Sequence, residues 1–157
     1  MSVLLRYALL LAVVVWIGGI VFFSFLASPS VFKVLPRELA GRVVGDIFPK
    51  YHVLGYISCA VALGCILGLR QLGATKAVGT AALIIALMGT VQITMGMVIG
   101  PQVTTARDAA KAAAVGSEKD QLEKKFRRLH AVSMVFNLLL LILGLVLLYH
   151  LAVRLQM

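Results

Sequence analysis

The chain has 157 residues, of which 61% are hydrophobic and 13% are charged, and its mean hydropathy is +1.01. Soluble domains are less apolar and about 25% charged, so the composition excludes a water-soluble protein. The formal net charge of +9 is typical of a membrane protein whose Lys and Arg meet anionic headgroups. Nucleic acid is excluded as a partner, because no soluble basic domain is available to bind it.

Four segments carry no Asp, Glu, Lys or Arg in their middle, and about 17 to 25 apolar residues are enough to cross a bilayer. The spans are predicted at about Leu4–Ala27, Val53–Leu69, Ala77–Gly100 and Ala131–Val153. They predict an all-α fold, an integral membrane four-helix bundle that forms a single transmembrane domain over residues 1–157. The lipid bilayer is its first predicted partner.

Prolines divide the first half of the chain. The first span is predicted to be a retained helix, because its apolar run is longer than the ~7–15 residues of a signal peptide. Pro29 is predicted to end it, since a proline disfavours helix at the residue before it. Arg37–Phe48 has its apolar residues on one face, which is typical of a short helix lying in the membrane interface. Pro49 is predicted to end that interfacial helix.

The second half of the chain follows a similar plan. Gly100-Pro101 is predicted to end the third span, and a second short interfacial helix is predicted in the connection that follows it. From Glu118 to Arg154 no helix-breaking residue occurs, so one continuous helix is predicted. At about 1.5 Å per residue it would be ~55 Å long, so its charged first turns must stand outside the bilayer.

The charges predict an orientation. Four spans put both termini on one side of the membrane, called side A, and the two longer connections on the other, called side B. Of the fifteen Lys and Arg, eleven lie on side B and four on side A. The positive-inside rule then places side B in the cytoplasm, with the inner membrane of a bacterium as the predicted location.

Polar residues within the spans concentrate in the side-B half. On the fourth span His130, Ser133 and Asn137 share one helix face, because they are spaced three and four residues apart. Polar side chains at membrane depth face the bundle interior, so they predict a shared inward-facing pocket. The candidate ligand-binding residues are His130, His52, Asn137, Ser133, Gln92 and Tyr56.

Several of these residues have two interpretations. His130 and His52 are candidate metal ligands, or else polar side chains at the interface. Met88 and Met95 share a face and could hold Cu(I) through their thioethers, or else fill gaps in the core. Asn137 is either part of a binding pocket or a fastener that hydrogen-bonds across helices.

Several mechanisms lack the residues they need. No span has a carboxylate or an ammonium in its middle, which proton pumps and cation-coupled transporters require. No Ser/His/Asp set, HExxH, CxxC or phosphate-binding glycine loop occurs. Ordinary hydrolytic and nucleotide chemistry is therefore not indicated, and whether the protein is an enzyme stays open.

A series of short motifs spans most of the chain: Trp16-Ile17-Gly18-Gly19, Phe22-Phe23, Ser28-Pro29, Phe32, Ala40-Gly41-Arg42-Val43-Val44-Gly45, Phe48-Pro49-Lys50-Tyr51, and Phe126, His130, Ser133 and Asn137. They resemble the transmembrane protein 205-like family, a domain of unknown function. More distantly they are similar to copper-resistance D-like proteins and to four-helix, haem-dependent protoporphyrinogen oxidases. The resemblance implies a four-helix bundle whose histidines bind haem or copper. The haem-type relatives carry a first-span histidine, where this chain has Arg6-Tyr7-Ala8.

Two hypotheses follow. The first is a small-ligand or cofactor-binding membrane module whose pocket opens toward side B, with His130 as an axial haem ligand and His52 as its partner in the sharpest version. The second is a non-catalytic structural or accessory membrane protein, a homo-oligomer or a subunit of a membrane complex. In that case the intramembrane polar groups only fasten helices together.

Overall fold

The computed structural model describes the backbone of residues 2–73 and 75–154 and the side chains of residues 2–73 and 78–154. The described chain is helical apart from short turns. Two segments are π-helical and are named π1 and π2. In chain order the elements are α1 (Ser2–Val21), π1 (Phe22–Ala27), α2 (Ser28–Val34), α3 (Arg37–Gln71), α4 (Thr75–Ile93), π2 (Thr94–Ile99), α5 (Gly100–Ala112) and α6 (Ser117–Arg154).

These elements combine into four rods that are long and apolar enough to cross a membrane, at Ser2–Val34, Arg37–Gln71, Val78–Ala112 and Ser117–Arg154. The prediction of an all-α membrane bundle with four long apolar helices is confirmed. The continuous helix predicted from Glu118 to Arg154 is confirmed as α6, which has 38 residues. Ala74, between α3 and α4, lies outside the described residues.

The rods pack as an antiparallel bundle. The first rod contacts the second and the fourth, and the third rod also contacts the second and the fourth. Branched aliphatic side chains and methionines fill the centre, with Leu9, Val13, Ile20, Ile85, Met88, Leu140 and Leu147 at most 1% exposed. Many other aliphatic side chains, from all four rods, are exposed on the outside. A bundle with an apolar surface as well as an apolar core fits lipid rather than water.

The prediction that the first helix breaks at Pro29 and the third at Gly100-Pro101 is wrong. Both helices continue, to Val34 and to Ala112. Each proline stands two residues after a π segment, in which an N–H bonds the carbonyl five residues earlier: Ser28 to Phe23, and Gly100 to Met95. A π turn widens the helix, which gives space for the proline ring that would otherwise meet the carbonyl four residues before it.

The two separate interfacial helices are not confirmed either. Arg37–Phe48 is helical, as predicted, but Pro49 lies inside α3, which runs on to Gln71. Pro49 has no N–H, so the Gly45 carbonyl loses its usual helical donor. The Arg107 guanidinium of α5 lies against this turn and donates from Nη1 to the Gly41 carbonyl at 3.0 Å. This bond is made one turn before the carbonyl that Pro49 leaves free, so it holds α3 against α5 beside the proline.

Candidate functional site

Two adjacent buried residues of α3 organise the polar side chains of the bundle. Tyr51 and His52 are 9% and 5% exposed. Successive helical residues point about 100° apart, so these two side chains reach different helices. Tyr51 bonds to α6, and His52 bonds to α4.

Tyr51 begins a chain of hydrogen bonds across three rods. Its hydroxyl donates to Asn137 Oδ1 at 2.7 Å. The Asn137 amide nitrogen donates in turn to Ser24 Oγ, also at 2.7 Å. Ser24 lies in π1, so the chain ties the second, fourth and first rods together. Each link joins a donor to an acceptor. We call these residues, together with the His52–Gln92 pair described next, the polar layer.

His52 and Gln92 form a separate buried pair. Gln92 is fully buried, and its Nε2 lies 3.0 Å from His52 Nδ1. In this orientation of the amide, Nε2 donates and Nδ1 accepts, so the neutral imidazole carries its proton on its own Nε2. His52 Nε2 and Gln92 Oε1 are both buried and have no hydrogen-bond partner. The pair therefore presents one free donor and one free acceptor inside the bundle.

Two glycines let the helices approach closely at this pair. A Cβ atom on Gly55 would lie 2.5 Å from the Gln92 amide nitrogen. A Cβ atom on Gly96, in π2, would overlap the Tyr56 hydroxyl and would lie 3.0 Å from His52 Cγ. Any larger residue at these positions would displace the polar side chains. The geometry of the site therefore depends on side chains that pack directly against the backbone of Gly55 and Gly96.

Aromatic rings pack around the pair. Phe23 of π1 stacks on Tyr51 with ring centroids 5.2 Å apart. Phe48 contacts both Phe23 and His52, at 5.2 and 5.3 Å between centroids. Tyr56, one turn further along α3, stacks on His52 at 6.4 Å. Offset and edge-on contacts of this kind stabilise aromatic clusters, so the His52 ring is held in place by its neighbours.

The structure divides the six predicted site residues. Gln92, His52 and Tyr56 lie together, Asn137 belongs to the bonded chain that Tyr51 begins, and Ser133 is buried. His130 is exposed, and its ring stacks on Phe126 at 5.8 Å. Sequence spacing put His130 and Ser133 on one helix face, but burial depends on what the neighbouring helices cover at each depth.

Sequence reasoning left four contributing residues out of the site. Ser24 and Tyr51 are polar residues in the side-B half of their spans, and that position could have marked them as site residues. Gly55 and Gly96 gave no signal of their own, because only the packed bundle shows which glycines meet a polar side chain.

The hypotheses of a metal site are not supported by a cluster of metal-ligating side chains in the described residues. Within residues 2–73 and 78–154 no group of three or more His, Cys, Asp or Glu side chains could hold a metal ion. Met88 and Met95 are both buried in the bundle core, where flexible thioethers fill irregular gaps.

The fold and the polar layer define a multi-pass integral membrane protein of four helices. Residues 11–112, more than half of the chain, match the family described as Domain of unknown function (DUF4149), and the chain belongs to this family. A stretch of 42 residues is 50% identical to an "Uncharacterized protein" of Aquifex aeolicus (strain VF5). That stretch covers 27% of this chain and 32% of the relative, so the match spans about a third of the relative's length. No solved structure matches the chain.

Proposed function

We propose that this protein is a membrane module that binds a small, neutral, polar ligand at the His52–Gln92 pair. The observation that carries the proposal is the buried, unpartnered state of His52 Nε2 and Gln92 Oε1. Leaving a buried polar group without a partner costs about 1–3 kcal/mol. Two such groups on one bonded pair are a reason to expect a third molecule between them.

The free groups indicate the chemistry of that ligand. His52 Nε2–H needs an acceptor and Gln92 Oε1 needs a donor, and a single hydroxyl group supplies both. No span has a charged side chain in its middle, so a neutral ligand suits the site better than an ion. The close approach at Gly55 and Gly96 favours a small group. Tyr56 lies beside the pair, and Ser133, Asn137 and the exposed His130 belong to the wider side-B region of this proposal.

The residues present do not fit a haem held between His52 and His130. On its Gly96 side the His52 ring lies against π2, since a Cβ atom there would be 3.0 Å from His52 Cγ, so a macrocycle has no room on that side. The ring of His130 lies on the surface against Phe126. A copper site gains no support either, since the described part of the chain has no group of three or more His, Cys, Asp or Glu side chains that could hold a metal.

An extraction experiment tests the proposal. The protein is purified in nanodiscs, its bound small molecules are extracted with solvent, and they are identified by mass spectrometry. We expect the wild type to retain a hydroxyl-bearing compound that Gln92→Leu loses by about tenfold, since one lost hydrogen bond is worth up to ~1.5 kcal/mol. Ser58→Ala, which removes another buried hydroxyl of α3, is the control and should retain it. Equal retention in the wild type and Gln92→Leu would contradict the proposal.

A structural or accessory role is the second candidate, and a different observation favours it. Tyr51, Asn137 and Ser24 form a fully bonded chain across three rods, as fasteners do. In that case polar substitutions alter assembly, as a homo-oligomer or as a subunit of a membrane complex, without any change in bound small molecules.

The remaining assignments belong to the same proposal. Membership in the transmembrane protein 205-like group is supported by the spacing of Phe126, His130 and Ser133. A bacterial inner membrane is supported by the bacterial relative, and a cytoplasmic side B by the excess of Lys and Arg there. Treatment of residues 1–157 as one transmembrane domain stays a prediction.

A further inference from the structure

The side-B end of α6 carries a basic groove outside the polar site. The groove is shallow and open, and all its lining side chains belong to this one helix: Gln121, Lys124, Lys125, Arg128 and Leu129. These residues are spaced three, one, three and one apart, so they form a single stripe along one face of the helix. The polar members are exposed and Leu129 is half-buried. This set is called the basic stripe.

The positive charges of the basic stripe are not neutralised within the protein. The ion pairs of the described residues join Glu38 to Arg42, Asp46 to Lys50 and Asp108 to Arg107. Within the same described part, Lys124, Lys125 and Arg128 have none. The acidic residues of α6 all precede Lys124 in sequence, so its carboxylates stand farther from the bilayer than the three positive charges of the stripe do.

The position of the stripe along α6 matches the headgroup level. The helix has 38 residues, about 57 Å at ~1.5 Å per residue, whereas the hydrocarbon core is ~30 Å thick. The charged N-terminal part therefore lies outside the core. Arg128 is the last Lys or Arg before a stretch without Asp, Glu, Lys or Arg that extends to Val153, so the groove is expected at the level of the lipid phosphates.

The same helix face continues into the bilayer with exposed aliphatic residues. Val132, Val135 and Leu139 follow Arg128 at intervals of four, three and four residues and are 43%, 64% and 40% exposed. Basic groups above an apolar stripe complement a phospholipid, which has an anionic headgroup above an acyl chain.

We infer that the basic stripe of α6 is a binding site for an anionic phospholipid. Lys124, Lys125 and Arg128 hold the headgroup phosphate, and one acyl chain lies along Val132, Val135 and Leu139. The site is separate from the His52–Gln92 pair and does not depend on the function proposed for it.

Native mass spectrometry of the full chain tests the inference. The protein is delipidated in detergent and titrated with phosphatidylglycerol and phosphatidylcholine of the same acyl chains. We expect phosphatidylglycerol to bind about tenfold more tightly or better, since each Lys or Arg near an anionic lipid is worth ~1 kcal/mol. The triple variant K124Q/K125Q/R128Q should lose most of that preference and keep its affinity for phosphatidylcholine.

Two further variants keep the test specific. K33Q/R37Q/K111Q removes three positive charges from the same side of the membrane and should change the preference by less than about twofold. K124R/K125R/R128K keeps the charge and should retain the preference, which excludes a folding defect as the cause of the loss. Circular dichroism and gel filtration report the fold of each variant.

Three results would overturn the inference. Equal affinity for the two lipids in the wild type would remove the headgroup selectivity. An equal loss in K33Q/R37Q/K111Q would mean that diffuse charge, rather than the stripe, attracts the lipid. Competition by millimolar inorganic phosphate would mean that the groove binds a soluble anion and that the acyl stripe contributes nothing.

Discussion

Tyr51 and His52 are neighbours in sequence, yet they hydrogen-bond to different rods: the Tyr51 hydroxyl to Asn137 of α6 and the His52 ring to Gln92 of α4. With Ser24 of π1 bonded to Asn137, all four rods contribute to one polar layer. The bonds that start at Tyr51 are complete, whereas the pair at His52 has a free donor and a free acceptor. The two halves of the layer should therefore respond differently to substitution.

Tyr51→Phe should destabilise the bundle. It removes the donor to Asn137 Oδ1 and leaves that oxygen without its partner, which costs about 0.6–2 kcal/mol for an interhelical bond in a membrane. Reversible unfolding in bicelles measures the free energy. Tyr149→Phe is the control, because Tyr149 is 73% exposed on the fourth rod. Equal stability of the two variants would mean that the 2.7 Å bond does not contribute to the free energy of unfolding.

Unlike the bond at Tyr51, the His52–Gln92 pair as a whole should not be needed for the stability of the bundle. Gln92→Leu alone leaves His52 Nδ1 unpartnered and should destabilise by roughly 1–3 kcal/mol. The double variant His52→Phe with Gln92→Leu removes every unpartnered polar atom of the pair and should be at least as stable as the wild type. The same unfolding assay tests this, and a double variant less stable than Gln92→Leu would indicate a structural fastener.

Gly55→Ala should disturb the pair through packing alone. The added methyl group would lie 2.5 Å from the Gln92 amide nitrogen, and such overpacking costs about 1–3 kcal/mol. Gly64→Ala, on the same helix, is the matched control, because nothing lies within 4 Å of its Cβ position. Both variants are compared by thermal unfolding in detergent. If Gly64→Ala lowered the melting temperature as much as Gly55→Ala, the close approach at Gly55 would not be the cause.

Arg107→Gln should loosen the side-B half of α3. The guanidinium bonds the Gly41 carbonyl at 3.0 Å, one turn before the carbonyl that Pro49 leaves without its helical donor. Hydrogen exchange of the amides from 41 to 48 should become faster, because the turn loses its contact with α5. Lys111→Gln, which removes an exposed charge of α5, should leave exchange unchanged. Unchanged exchange in Arg107→Gln would show that the helix passes through Pro49 without help.

The sequence was sufficient for the architecture and insufficient for its details. Apolar length alone predicted the four rods, because the bilayer imposes it. The predicted helix ends at Pro29, Pro49 and Pro101 were wrong, because local helix rules take no account of π turns or of contacts with other helices. A π turn precedes Pro29 and Pro101, and an arginine from another helix lies beside the turn before Pro49.

The same limit applies to the site. Helical spacing brought Asn137 and Ser133 to an inner face, and both have reduced exposure. His130 shares that spacing but lies at the surface, since spacing sets direction and not depth. Which polar atoms remain free, at His52 and Gln92, follows from partners on other helices, and no single-chain pattern encodes those distances.

The ring nitrogens of His52 give the most direct test of the proposed binding pair. The protein is labelled with ¹⁵N-histidine in nanodiscs and observed by NMR, with 1-decanol as a hydroxyl probe and decane as its apolar counterpart. The proposal predicts a protonated Nε2 whose signal shifts saturably with 1-decanol, remains unchanged with decane, and loses its response in Gln92→Leu. The same shift with both probes, or none with either, would contradict it.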